Sequence, residues 1–200
     1  MSDQFTKQSG RLHVLLGYSG TGKSTISKLI NGMYPQFKLV STSSIVKSLG
    51  GNMDQTIKNG GLFSDENALR DLLSKELCSI LMDLNSKTQI LLDGFPRTVD
   101  QAEWLDKNFG LELGKFILLD SSHEKCIERL LGRKRTDFPD YDEISVIEKR
   151  LTREREEYRD VWDHIEHSHG YYVVDDDLTL EPVTRIVADI LIGTIFFIGR

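Results

Sequence analysis

Gly17-Tyr18-Ser19-Gly20-Thr21-Gly22-Lys23-Ser24 is the stretch whose reading decides the fold. It fits the pattern GxxxxGK[ST], and its surroundings matter as much as the match. Upstream, Leu12 to Leu16 is a largely apolar run that reads as a short buried strand, and downstream a helix is expected from Lys23 to about Asn31. A glycine-rich turn between a strand and a helix lets backbone N–H groups converge on phosphate oxygens. The helix N-terminus adds the positive end of its dipole. In this setting Lys23 reaches the β and γ phosphates of a nucleoside triphosphate, and the Ser24 hydroxyl is a ligand for Mg²⁺. Four fixed positions should coincide by chance in under ~1% of chains this long. Gly20, Thr21, Gly22, Lys23, Ser24 and Thr25 are therefore the expected triphosphate-binding residues, with Lys23 also catalytic.

Working outward, Gly32 reads as the left-handed residue closing the first helix, with Pro35 just beyond it. Lys38 to Ser41 reads as a second strand. From Ser64 to Asn85, Leu69, Leu72, Leu73, Leu77, Ile80, Leu81 and Leu84 fall on one helical stripe. Ser64 is the expected N-cap there, with Asp65 and Glu66 favouring the positive end of the dipole. Gln89 to Leu92 is a strand ending at Asp93, Val99 to Asn108 a helix stopped by Gly110, and Phe116 to Leu119 a strand ending at Asp120. Ser121 and Glu124 form a capping-box pattern for the helix carrying Cys126 to Leu131. A polar, arginine-rich stretch follows from Gly132 to Glu143. A long charged helix, Ile144 to Ser168, then keeps an apolar face of Ile147, Leu151, Tyr158, Val161, Trp162 and Ile165, and Gly170 ends it. Tyr171 to Val174 is the last strand, and a final helix starts near Leu180.

Short apolar strands separated by helices predict βαβ units and a parallel sheet of about five strands, covered on both faces. Such α/β sheets bind ligands at the carboxyl ends of their strands, where the glycine loop, Asp93 and Asp120 all fall.

The 200 residues carry 25 Lys+Arg against 31 Asp+Glu, a formal net charge of −6. That balance argues against nucleic acid as a partner but allows a local basic site for a small anion. The length suits one α/β domain. Cys78 and Cys126 lie outside any CxxC and are too few for a four-cysteine zinc site, so they read as buried thiols on helices. Met1 to Gly10 lacks the apolar core of a signal peptide. Ile186 to Ile198 contains Asp189 and is too short to span a bilayer. Together these features predict a cytoplasmic protein without a membrane partner. His164, His167 and His169 read as solvated residues beside a helix C-terminus rather than metal ligands, and Arg153, Arg155 and Arg159 as a solvated face.

The second informative stretch is Leu91-Leu92-Asp93-Gly94-Phe95-Pro96-Arg97-Thr98, with Gln101 three residues on. Asp93 ends a buried strand, where a carboxylate would hold Mg²⁺ through water. Arg97 follows a rigid turn and presents a planar fork suited to a phosphate. Alone, Asp93 reads equally as a cap and Arg97 as a surface arginine; the phosphate loop upstream tips the balance toward function.

Over nearly its full length the chain resembles the adenylate kinase family of nucleoside monophosphate kinases, and DGFPRT with Gln101 is its most specific signature. The resemblance implies that Arg97 holds the α-phosphate of the acceptor, with Gly94 beside it, and that Gln101 hydrogen-bonds the acceptor adenine. Ser41-Thr42-Ser43-Ser44-Ile45-Val46-Lys47 is similar to the acceptor motif S-T-G-D-L-L-R, giving Thr42 and Lys47 acceptor roles. The stretch from Asn59 to Glu66, containing Gly61, Leu62 and Phe63, is similar to the segment that passes the acceptor base. Ile127 to Arg133 is similar to the entry of a lid, where Arg129 would stack on the donor adenine and Arg133 would contact donor phosphates. Lys149-Arg150-Leu151 is similar to the lid exit, where Arg150 would contact phosphates across the site, and Arg135 would supply the remaining lid arginine.

The resemblance implies a three-layer P-loop fold with an acceptor-binding lobe at about 42–70 and a short, zinc-free lid at about 132–146. It implies phosphoryl transfer from Mg-ATP to a nucleoside monophosphate, AMP above all, by a monomer whose partners are small nucleotides. The catalytic set would be Lys23, Arg97, Arg133 and Arg150. Ser43 and Ser44 depart from the Gly and Asp of the acceptor motif, Lys47 from its Arg, and Ser24 from the Gly common after the loop lysine. Two other readings stay open: a kinase for another nucleoside or deoxynucleoside monophosphate, and a nucleotide-binding regulatory module without turnover.

Overall fold

Residues 10–49, 65–83, 87–132, 143–176 and 178–194 are described by the computed structural model. Its frame is a five-stranded sheet of β1 (Leu12–Leu16), β2 (Phe37–Ser41), β3 (Gln89–Asp93), β4 (Leu113–Asp120) and β5 (Tyr172–Asp175). The order is β2-β3-β1-β4-β5, and every neighbouring pair is parallel. The described helices are α1 (Lys23–Met33), α2 (Thr42–Ser48), α3 (Glu66–Leu81), α4 (Val99–Phe109), α5 (His123–Leu131), α6 (Ile144–Ser168) and α7 (Leu180–Ile192).

Successive strand residues face opposite sides of a sheet, so a strand buried on both faces must be apolar throughout. Leu12, Val14, Leu16, Ile90, Leu92, Phe116 and Leu118 pack on one face against Leu73 and Leu77 of α3, Leu105 of α4 and Val161 and Ile165 of α6. Leu15, Leu91, Ile117, Leu119 and Val174 pack on the other against Ile26 and Ile30 of α1 and Val183, Val187 and Ile190 of α7. The result is the three-layer α/β arrangement expected from the pattern of elements. β1 lies at the centre, between β3 and β4, so the loop that follows it meets the carboxyl ends of both neighbours.

Local differences from the sequence reading have local causes. Gly32 lies inside α1, which runs on to Met33 under a cap at Tyr34; buried Ile26 and Ile30 outweigh the ~1 kcal/mol that one helical glycine costs. The N-cap of α3 is Asp65, whose carboxylate accepts the Ala68 N–H at 3.0 Å, while the expected cap Ser64 lies outside the described residues. α3 ends at Leu81, and Leu84 also lies outside them. The cap of α5 is Ser122 rather than Ser121, because the Ser121 hydroxyl donates instead to Asp176 at 2.6 Å. α2 continues directly from β2 and was not expected as a helix. No helix among the described residues is long and apolar enough to cross a membrane. Of the expected lobe at 42–70 and lid at 132–146, only residues 42–49, 65–70, 132 and 143–146 are described.

Candidate active site

The phosphate loop is pressed against what lies beneath it. Gly20 has φ +92°, and a Cβ there would stand 2.7 Å from the Cys126 carbonyl oxygen on α5, so both the left-handed backbone and the close approach demand glycine. Gly22, at φ 80°, turns the chain into the first turn of α1. Lys23 opens that turn and folds back, its Nζ donating to the carbonyls of Gly17 and Tyr18 at 2.6 Å each. Its ammonium therefore sits at the mouth of the loop. Thr21 is fully buried and donates to the Tyr18 carbonyl at 2.9 Å, while Thr25 is exposed.

Two residues join the loop to β3. The Ser24 hydroxyl donates to Asp93 Oδ2 at 2.7 Å, and Asp93 is buried at the end of its strand. Both donor atoms are hard oxygens at the site where donor phosphates would arrive, a set that suits Mg²⁺ supplemented by phosphate and water. Among the described residues, no group of three or more His, Cys, Asp or Glu side chains could hold a metal on its own.

Across the cleft, Gly94 has φ +89°, and a Cβ there would meet Thr42 Oγ1 at 2.5 Å. The Thr42 hydroxyl donates to the Gly94 carbonyl at 3.0 Å, tying α2 to this turn. Arg97 follows a cis Phe95–Pro96 bond and its Nε donates to the same carbonyl at 2.9 Å. Arg97 is held above the ordinary arginine value by Tyr158 first, then by Glu154 and Asp93, against its burial. Burial pushes the Tyr158 phenol itself up to about 12, so it faces Arg97 as a neutral hydroxyl near neutral pH. A cavity of about 30 Å³ lies between the loop and this turn, lined by Gly17, Ser19, Lys23, Gly94, Arg97 and Tyr158 among others.

Gln101 is buried and already engaged. Its Oε1 accepts the Arg97 backbone N–H at 2.7 Å, and its Nε2 donates to Glu66 on α3 at 3.1 Å. Lys47 is exposed on α2, as are Ser43 and Ser44, and Ser43 bonds Ser41 at 2.9 Å. On the β4 side, Arg129 donates to Asp176 through both terminal nitrogens, to the carboxylate and, at 2.6 Å, to the carbonyl. Ser121 completes that network at 3.2 Å from Arg129 Nη1. Arg150 lies on α6 with its Nε 3.8 Å from Glu154. The structure thus brings Lys23, Ser24, Asp93, Gly94, Arg97, Thr42 and Gln101 around one cleft. Gly61, Leu62, Phe63, Arg133 and Arg135 lie outside the described residues.

The adenylate kinase family model matches residues 15–169, which include the whole of this cleft. The chain belongs to the adenylate kinase family. It is similar to an adenylate kinase of Francisella philomiragia, 33% identical over 131 residues, covering 60% of this chain and 56% of the relative. Adenylate kinases of Caldicellulosiruptor bescii and Clostridium botulinum are 34% and 36% identical over 134 residues, each covering 60% of this chain and 58% of the relative. The chain therefore spans a little over half the length of these curated relatives.

Within this adenylate kinase family member, several residues around the cleft escape a reading by motif. Glu154 is 1% exposed yet bonds the loop at Ser19. Arg155 is not part of a solvated face: its guanidinium lies 4.7 Å over the Tyr18 ring of the phosphate loop. His164 and His169 are not simply solvated either, since both ring Nε2 atoms meet Asp106 on α4, at 3.4 and 2.6 Å. The readable signal for Glu154 is its place on the apolar stripe of α6, where a charge is out of pattern.

Proposed function

We propose that the chain is a nucleoside monophosphate kinase that moves the γ-phosphoryl group of Mg-ATP onto AMP, giving two ADP. The observation that carries this reading is the convergence, at one end of the sheet, of a phosphate loop with its lysine, the Ser24–Asp93 pair, and Arg97 facing them across the cleft. Membership of the adenylate kinase family supports it.

Donor phosphates lie in the loop from Gly20 to Thr25, with Lys23 against the β and γ groups and Arg129 and Arg133 on the nucleotide. Ser24 would hold Mg²⁺ directly and Asp93 through water, and the metal would offset charge on the donor phosphates. Arg97 and Lys47 fix the acceptor phosphate, while Thr42, Gly94, Gln101 and the backbone of Gly61, Leu62 and Phe63 position its base. The acceptor phosphate is already an anion, so no general base is needed. Arg150, Arg133 and Arg135 add positive charge where the transition state spreads negative charge over the equatorial oxygens. Rate enhancement then comes from positioning and charge stabilisation. We further propose a cytoplasmic monomer organised as core, acceptor lobe and short lid; the free thiols of Cys78 and Cys126 fit a reducing compartment.

The test is a coupled ATP-consumption assay with AMP, dAMP, CMP, UMP, GMP and dTMP at fixed Mg-ATP. AMP should give the highest kcat/KM. A pyrimidine that outperforms AMP overturns the acceptor assignment, and no turnover with any monophosphate overturns the enzymatic reading.

A further inference from the structure

The apolar stripe of α6 runs through Ile147, Leu151, Tyr158, Val161 and Ile165, and Glu154 occupies the step between Leu151 and Tyr158. A carboxylate this far from water survives only with partners that satisfy it. Both of its oxygens are committed to one residue of the phosphate loop. Oε2 accepts the Ser19 backbone N–H at 2.7 Å, and Oε1 accepts the Ser19 hydroxyl at 2.5 Å. Oε1 also lies 3.8 Å from Nε of Arg150, one turn earlier on the same helix. Below this contact Tyr18 stacks on Tyr158, ring planes 3° apart, and tilts against Trp162 at 4.5 Å. The loop tip therefore rests on α6 through an aromatic base and a charge-assisted clasp.

We propose that Glu154 is a positioning residue of the donor site, holding the phosphate loop in its binding shape through Ser19 and keeping Arg150 in register with that loop. The assignment rests on the kinase reading of the site. Loop N–H groups act together on a phosphate only when they converge, and this loop has three glycines with positive φ, at Gly17, Gly20 and Gly22. Such a segment has much conformational freedom to lose on binding. Two hydrogen bonds to a buried anion remove part of that freedom in advance, and they are of the stronger, charge-assisted kind. They engage the loop and α6. Arg97 is anchored instead by the Gly94 carbonyl and by Gln101 on α4, and Glu154 reaches it only as one of several surrounding charges, so the main effect of Glu154 falls on the donor.

Glu154→Gln keeps the size of the side chain but presents an amide donor to one of the two Ser19 donors. It should raise the KM for ATP and the calorimetric Kd for ATP by about tenfold, the scale of one charge-assisted hydrogen bond, and leave the KM for the monophosphate within about twofold. Ser19→Ala removes the hydroxyl arm alone and should shift the same constants by roughly threefold. The double variant should lose no more than Glu154→Gln, since both act through one contact. A lowered Tm with ATP constants unchanged, or with donor and acceptor constants moving together, overturns the proposal in favour of simple packing. Should Glu154→Gln fail to fold, Ser19→Ala decides: unchanged ATP affinity overturns the proposal. Because ATP affinity is read without turnover, the outcome stands apart from that of the kinase assignment, which fails only if the unaltered protein transfers no phosphoryl group.

Discussion

Lys23 is seated by two backbone carbonyls at 2.6 Å, so its charge is placed before any phosphate arrives. Lys23→Met keeps an apolar stem and removes that charge, while α1 keeps buried Ile26 and Ile30 to hold it in place. Turnover should fall below about a tenth of the parent value, a barrier increase above ~1.4 kcal/mol, with an unchanged circular dichroism spectrum. Retained activity above that level counts against the role of Lys23. Arg97→Ala should instead raise the KM for the acceptor and lower kcat while ATP affinity holds; equal losses for donor and acceptor would remove Arg97 from the acceptor site. Lys23, Ser24, Asp93 and Arg97 were legible because each sits in a short motif that dictates its own local backbone. Glu154 and Asp176 were not, because their partners Ser19 and Arg129 lie 135 and 47 residues away. Only the folded topology brings them together.

Elements obey the same division between near and far causes. β1, β3 and the long helices α3 and α6 were legible from period alone, since two-face burial and a continuous apolar stripe leave few alternatives. α2, with seven residues, is too short to establish a period. Its placement depends instead on Thr42 reaching the Gly94 turn, a contact across 52 residues. The choice between Ser121 and Ser122 as the cap of α5 was settled by a distant carboxylate, Asp176. Where the cap is local, the consequence is simple. Asp65 accepts the Ala68 N–H at the start of α3. Asp65→Ala should lower stability by about 1 kcal/mol, which for a domain of this size is a Tm drop of roughly 2–4 °C. A melting curve superimposable on that of the parent would show that the cap contributes nothing.

For the whole molecule, the sheet carries a built-in dependence on pH through His13. This residue is buried on central strand β1 and links both neighbours: its Nδ1 accepts the Lys115 N–H of β4 at 2.9 Å, and its Nε2 meets Gln89 Oε1 of β3 at 2.8 Å. A protonated ring would turn a donor toward the Lys115 N–H in a buried site. Burial, opposed by the Gln89 hydrogen bond and assisted by the Lys115 charge, lowers the His13 pKa from 6.5 to about 4. Because the folded value lies below the unfolded one, the unfolded chain binds the proton first. The neutral ring therefore contributes its full stability above pH 6.5, and the contribution is lost as pH falls toward 4. Linkage puts the loss at about 2 kcal/mol by pH 5 and about 3 kcal/mol by pH 4. Asp106 falls outside this window: although burial raises its pKa, the hydrogen bonds and charge of His169, with His164, hold it below the ordinary carboxylate value, so its share is lost only at more acidic pH. Unfolding free energies from urea titrations at pH 7.5, 6 and 5 should decline for the parent and change less for His13→Gln, which has no ring to protonate. The gap between the two should narrow by about 2 kcal/mol from pH 7.5 to pH 5. Parallel declines across that range would mean that His13 is not the group whose protonation loosens the sheet.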